Sequence, residues 1–199
     1  MSLKFNDATV LELLTSRVRV IAHYQLRGHS RDSALRVFRR LRCRGAITVR
    51  QVVIHPELSL DEPLFRWMPG QCAPLFERLA WRLQSRWNLM PKATYVASAT
   101  VQGRYETGGS IGGRPLRRTE VAHDVHVTAL FLKLQSEAPT KAQKWVHEDI
   151  LREGGQLNGV IPDATIGTTC IEFGGSYRAA KLRTMHRLYA TDGRDYEIW

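Results

Sequence analysis

Cysteine is scarce in this chain: three in 199 residues, Cys43, Cys72 and Cys170, far apart and odd in number. That excludes a disulfide framework and fits a reduced, intracellular setting. No apolar run approaches the ~20 residues a membrane helix needs. The opening MSLKFNDATVLELL has no basic n-region, no signal-type apolar core and no small-residue cleavage site, so export is not expected. With 15 Gly, 8 Pro and 43% apolar residues, the composition excludes collagen-like repeats and disorder. The length suits one ordinary domain or two small ones.

Acidic residues are also in short supply. Nineteen Asp and Glu face 29 Lys and Arg, giving a net charge of +10 and a pI near 10.0. The deficit is regional. Residues 1–54 hold 11 basic and 3 acidic side chains, whereas 55–199 hold 18 and 16. A concentrated cationic segment points to a polyanionic partner, because Lys and Arg contacts to phosphates release condensed counterions. A merely solubilising surface would spread the excess more evenly.

The patterning begins with DATVLELL, which reads as a short helix capped by Asp7 and burying Val10, Leu13 and Leu14. A second apolar-periodic stretch, Val18 to Leu26, stops at Gly28. Ser30 then precedes RDSALRVFRRLRCRG, where Ala34, Val37, Phe38 and Leu41 make the buried stripe of an amphipathic helix that Gly45 ends. Arg31, Arg36, Arg39 and Arg40 lie off that stripe. Asp32 is the one carboxylate among them, so salt-bridging along the helix cannot be their purpose. AITVRQVVI reads as a strand, and LFRWM, beyond the loop HPELSLDEP, as its hairpin partner. Three helices and a hairpin are the layout of a winged helix-turn-helix, whose third helix enters the major groove. Arg36, Arg39 and Arg40 are the leading DNA contacts on this reading, with Arg31 beside them. Ser33 supplies a hydroxyl, and Arg50, at the base of the wing, suits a phosphate.

Residues 70–88 read as a connecting helix, with Trp81 and Trp87 serving as core or interdomain anchors rather than as stacking platforms. The same segment is the expected contact of a homodimer bound to two half-sites. TYVASATVQGRYETGG reads as one or two strands. Gly108–Arg118, GGSIGGRPLRR, reads as a surface loop; it lacks the ending of a phosphate-binding loop, though Arg114, Arg117 and Arg118 could extend a DNA footprint. His123 and His126 share a face of the helix Thr119–Leu134. With no third ligand at tight spacing, they read as packing residues rather than a metal pair.

Further on, Ile161–Ile166 reads as a strand opening at Pro162-Asp163, and Thr169–Phe173 as its partner across a tight glycine turn. Asp163 and Glu172 then come close across the hairpin, and Glu148 upstream is a third candidate oxygen. Three such carboxylates suit Mg²⁺ or Mn²⁺, which could activate a water for phosphodiester cleavage. The order Pro-Asp, then an acid ending the next strand, resembles the PD-(D/E)xK restriction-endonuclease-like superfamily. Where that pattern has lysine after the acid, this chain has Phe173-Gly174; Lys181 on the following helix SYRAAKLRTMHRLY is the candidate replacement, though one lysine among Arg178, Arg183 and Arg187 reads more simply as part of a solvated basic face.

Taken with Leu41–Ile47, the His123 helix, Trp145-x-x-Glu148, Pro162-Asp163-Ala164, Ile171-Glu172 and Lys181-Leu182, the chain resembles the replication-relaxation family of plasmids and other mobile elements. The resemblance implies a bacterial cytoplasmic protein of mixed α+β class. A winged helix at 1–70 and a connecting helix at 71–92 would precede a restriction-endonuclease-like domain, degenerate in its chemistry, at 93–199. It implies binding of double-stranded DNA in replication, transfer-origin processing or transcriptional control, alongside other transfer or replication proteins. Two further readings stand beside it: a Mg- or Mn-dependent endonuclease using Glu148, Asp163, Glu172 and Lys181, and an interaction scaffold in which the carboxylates pair with arginines.

Overall fold

The fold is described from a computed structural model covering residues 5–155 and 160–199, with Arg118 described by its backbone alone. Residues 1–4, which open the chain, and 156–159, inside the carboxylate-bearing stretch, lie outside the described residues. In chain order the first half runs α1 (Asp7–Ser16), β1 (Ile21–Ala22), a 3₁₀ turn (His23–Gln25), α2 (Arg31–Cys43), β2 (Ile47–Ile54), β3 (Phe65–Trp67), α3 (Phe76–Ser85) and β4 (Lys92–Ala99). The second half runs α4 (Val101–Thr107), α5 (Arg118–Glu137), α6 (Pro139–Gln143), β5 (Trp145–His147), α7 (Glu148–Glu153), β6 (Ala164–Ile166), β7 (Thr169–Glu172), α8 (Ala179–Thr191) and β8 (Tyr196–Ile198). The class is α+β. Among the described residues, no helix is long and apolar enough to cross a membrane.

The chain divides into two compact units, each made of two separate segments. Met1–Glu57 joins Met90–Pro139, and Leu58–Leu89 joins Thr140–Trp199. This differs from a sequential division at 70 and 92, and the helix expected to connect two halves belongs wholly to the second unit.

In the first unit, Asn6 rather than Asp7 caps α1, its side chain accepting from the Thr9 amide at 2.8 Å. Ser30 caps α2 as expected, and Ala34, Val37, Phe38 and Leu41 are buried. Gly45 (φ +73°) reverses the chain there, letting the Ala46 amide donate back to the Leu41 carbonyl. The apolar stretch 18–26 is not a helix. Val20, Ile21 and Ala22 are all fully buried, a continuous run that a strand covered on both faces accommodates and a one-sided helix does not.

The hairpin also differs from expectation. β2 pairs over its whole length with β4, from Ile47↔Ala99 to Ile54↔Lys92, and not with 65–67. Eight residues of mostly β-branched strand find an eight-residue partner here, whereas β3 offers only three. β4 also pairs with β1, giving the sheet order β1-β4-β2. Helix, strand, turn, helix and two strands in this order keep the connectivity of a winged helix, with a 3₁₀ turn in place of its second helix. Residues 55–91 form the excursion between the paired strands. Inside this unit Arg19 and Asp124, both buried, form an ion pair at 3.2 Å.

The second unit is a five-stranded sheet of order β3-β8-β7-β6-β5. β5, β6 and β7 form an antiparallel meander, α8 crosses over to β8 parallel to β7, and β3 pairs antiparallel at the far edge. Its core collects Trp67, Leu79, Leu83, Cys170, Leu182, Met185, Tyr189, Tyr196 and Ile198. α3 packs on α8 through these residues, and Glu77 pairs with Arg183 at their edge.

One contact in the first unit is unusually close. A Cβ built on Gly103 in α4 would lie 2.1 Å from the Ala46 carbonyl oxygen, against backbone that is itself held by the Thr100 amide. Gly103→Ala is therefore expected to destabilise this unit by about 1–3 kcal/mol, the usual range for overpacking. Thermal unfolding followed by the helical circular-dichroism signal checks it; an unchanged midpoint would refute the close packing of α4.

Candidate nucleic-acid face and carboxylate cluster

On α2, one face is committed to the core and the opposite face carries cation. At 100° per residue, Arg36 and Arg39 lie roughly opposite the buried stripe, and both are exposed. Among the described residues neither has an ion-pair partner. The remaining candidates are engaged in other ways. Arg40 forks onto Asp7, Nη2 to Oδ1 at 2.6 Å and Nε to Oδ2 at 2.9 Å. That hydrogen-bonded guanidinium holds the Asp7 carboxyl below its ordinary range. Arg31 sits 5.9 Å from the centroid of the Tyr95 ring. The Ser33 hydroxyl lies 2.9 Å from His29 Nδ1. Arg50 projects from β2, away from α2, and donates to the Leu116 carbonyl at 3.3 Å. Arg44 pairs with Glu106 at 2.8 Å. In the loop after α4, Arg114 and Arg117 both pair with Glu120 at 3.2 Å, while the Arg118 side chain lies outside the described residues.

In the second unit the expected hairpin forms, but its first strand is only Ala164–Ile166, so Ile161, Pro162 and Asp163 precede it. Gly167 (φ +62°) turns the chain, and the register Ala164↔Ile171 sets Asp163 directly across from Glu172. Asp163 Oδ2 accepts from the Phe173 amide at 2.7 Å, and the Asp163 carbonyl accepts from the Glu148 amide at 3.0 Å. Glu148 opens α7 immediately after β5, so the sheet brings its backbone to Asp163. Its carboxylate lies 3.5 Å from Arg152.

Glu172 is buried and is met by two tyrosines that the sequence reading did not single out. Tyr189 donates to Oε1 at 2.5 Å and Tyr177 to Oε2 at 3.3 Å. Burial, reinforced by the charge of Glu172, drives both phenol pKa values far upward, so both hydroxyls remain protonated donors. The available signal was helical phase: Leu182, Met185 and Tyr189 share the inward stripe of α8. Lys181 is an exposed residue whose ammonium lies 3.3 Å from the Tyr177 ring centroid. Desolvation there lowers its pKa, while the nearby charges of Glu172 and Asp163 pull it back up.

Gly174, where the superfamily pattern has lysine, has a steric reason. A Cβ there would meet Leu83 Cδ2 at 2.5 Å and Ile198 Cγ2 at 2.9 Å. α3 and β8 occupy the space a side chain would need.

The three carboxylates do not converge as a metal site. Among the described residues, no group of three or more His, Cys, Asp or Glu is arranged to hold a cation. Their oxygens are hard donors suited to Mg²⁺ or Mn²⁺, but those of Glu172 face tyrosine hydroxyls, Asp163 faces a backbone amide, and Glu148 leans to Arg152. The same holds for His123 and His126. His123 lies 3.7 Å from Asp124, while the buried His126 ring faces His55 at 6.2 Å. Trp87 is an anchor as expected, edge-on to Phe173 and donating to the Gly175 carbonyl. Trp81 is not: α3 buries Leu79, Ala80 and Leu83, which turns Trp81 outward at 69% exposure.

No family model, curated protein or solved structure matches this chain.

A hydrogen bond to a buried carboxylate is worth about 1.5–3 kcal/mol. Tyr189→Phe is therefore expected to weaken the second unit by that amount, and Tyr177→Phe, whose bond is longer, by less. All five tryptophans lie in this unit, so urea unfolding read by intrinsic fluorescence reports it selectively. Equal effects of the two changes, or none, would remove the tyrosine clasp from the account of Glu172.

Proposed function

We propose that this is a DNA-binding protein whose first unit engages a duplex through the outer face of α2, with the second unit a nuclease-like module that does not cut. The observation that carries the reading is the placement of Arg36 and Arg39. They stand on the exposed side of a helix whose other side is fully committed to the core, in the place of a winged helix's groove-entering helix. Exposed guanidinium groups held by a rigid helix suit phosphate oxygens and the acceptor edge of guanine alike. Arg31, at the helix start, flanks the buried stripe over the Tyr95 ring and is at most peripheral to this face. Arg40 contributes less, because binding DNA there means giving up Asp7. Arg50 is set apart from α2 and leaves this footprint. Two copies on adjacent half-sites, and a role in replication, transfer or transcriptional control of a bacterial mobile element, belong to the same proposal and rest on the sequence resemblance.

A metal-dependent endonuclease is the second reading. It is favoured by Asp163 facing Glu172 across the hairpin with the Lys181 ammonium in their field. The tyrosine bonds to Glu172 weigh against it.

Fluorescence anisotropy on duplex DNA tests the first reading. The double change Arg36→Ala, Arg39→Ala is expected to weaken binding and to lower the salt slope by about 1 for each phosphate the protein no longer neutralises. Arg40→Ala is expected to do less. Unchanged affinity and slope in the double variant would remove α2 from the interface. Supercoiled DNA incubated with Mg²⁺ or Mn²⁺ is expected to stay intact; nicking that both Asp163→Ala and Glu172→Ala abolish would put the endonuclease first.

A further inference from the structure

The loop Gly108–Arg118, a plain connector in sequence, walls a cleft of about 470 Å³ in the first unit. Its floor is the end of the β2–β4 ladder. Thr48 and Arg50 alternate onto one face of β2, and the register sets Thr48 against Ser98, their hydroxyls 2.9 Å apart. Thr100 and Arg114 stand in the walls, and Ala99, Val101 and Leu116 supply apolar surface. Among the described residues lining the cleft there is no carboxylate, and of its two arginines Arg114 is already paired with Glu120, so Arg50 is the cation offered to a ligand.

The wall is tightly built. Gly112 and Gly113 have φ of +142° and +84°, and Cβ atoms there would meet the Thr100 carbonyl oxygen at 2.9 Å and Val101 Cγ2 at 2.5 Å. Only glycine lets the loop lie against the end of β4, where the Gly113 amide donates to the Ala99 carbonyl. The Leu116 carbonyl in turn receives Arg50 Nη1 and sets the direction of its guanidinium. Tyr95, beneath Arg31 of α2, and Ser98 differ by an odd number of residues along β4. They therefore face opposite sides of the sheet, and the cleft is not part of the α2 surface.

We infer that this cleft binds a phosphate ester of nucleotide size. The volume falls in the ordinary range for small-molecule sites, roughly 300–1,000 Å³. An oriented guanidinium presents paired N–H donors that match two phosphate oxygens, and Thr48 adds a hydroxyl beside it. The apolar wall accommodates a sugar or base. A concave site bounded on both sides fits a free nucleotide or the terminal phosphate of a strand better than the convex backbone of an intact duplex. The inference goes beyond duplex recognition by α2 and does not rest on it.

Isothermal titration calorimetry on the full chain, with AMP, GMP, adenosine, and an oligonucleotide with or without a 5′-phosphate, tests it. At least one nucleotide is expected to bind at least tenfold more tightly than adenosine. Arg50→Met is expected to cost at least tenfold, and the Arg36→Ala, Arg39→Ala double variant to bind the nucleotide unchanged. Circular-dichroism melting checks that Arg50→Met folds, and Thr48→Val replaces it should the midpoint drop. Equal affinity for AMP, GMP and adenosine, or nucleotide binding indifferent to the substitution, overturns the proposal. Binding confined to the 5′-phosphorylated oligonucleotide, and lost in Arg50→Met, supports the phosphate site and assigns it to a strand's terminal phosphate; binding of the oligonucleotide irrespective of its 5′-phosphate overturns the proposal.

Discussion

The first unit hangs on the eight-residue ladder between β2 and β4. Its partners are separated by residues 55–91, and closing so long a loop costs little more than closing a short one, about 0.6 kcal/mol per doubling of length. The ladder therefore forms across the excursion, and much else follows from its register. The Ala46 carbonyl receives the Thr100 amide, fixing the end of α2 against the start of α4. β4 becomes the central strand, paired with β1 on its other side. Thr48, Ser98 and Arg50 reach one end of one sheet face, and Tyr95 reaches the other face beneath Arg31.

Within that frame the arginines divide by what holds them. Arg19 is buried and needs Asp124, since an unpaired charge in that position would cost several kcal/mol. Arg40 and Arg44 have carboxylate partners at the surface, where such pairs contribute little and can exchange for phosphate. Arg36 and Arg39 face solvent. The net charge of the segment thus overstates the cation available to a ligand, and the face that remains is narrower than the composition implies. It is also rigidly mounted, because the stripe opposite it is wholly buried.

The second unit buries two acids across one hairpin and answers them differently. Asp163 is met by backbone amide, Glu172 by two phenols that cannot ionise in their surroundings. Both answers offset part of the cost of desolvating a carboxylate. Gly174 belongs to the same packing: the lysine a nuclease pattern places there would collide with Leu83. The Lys181 ammonium instead lies over the Tyr177 ring, in the field of the two acids.

Local order was legible in the sequence: the Ser30 cap, the α2 stripe, the Gly45 stop, the β2 run, the Asp163–Glu172 hairpin and α8. Each depends on neighbours a few residues away, where periodicity, caps and glycine turns act directly. Partner choice was not legible. LFRWM has the composition of a hairpin strand, yet it pairs with β8, while KATYVASA finds β2 across the excursion. Trp81 has the composition of an anchor but turns outward, because the helix phase belongs to Leu79 and Leu83. Residue types placed Asp163 and Glu172 together. The tyrosine hydroxyls on Glu172, the Asp7 partner of Arg40 and the cleft beside Arg50 arise from contacts between segments far apart in the chain. Such contacts are selected by how whole surfaces fit together, which no local pattern encodes.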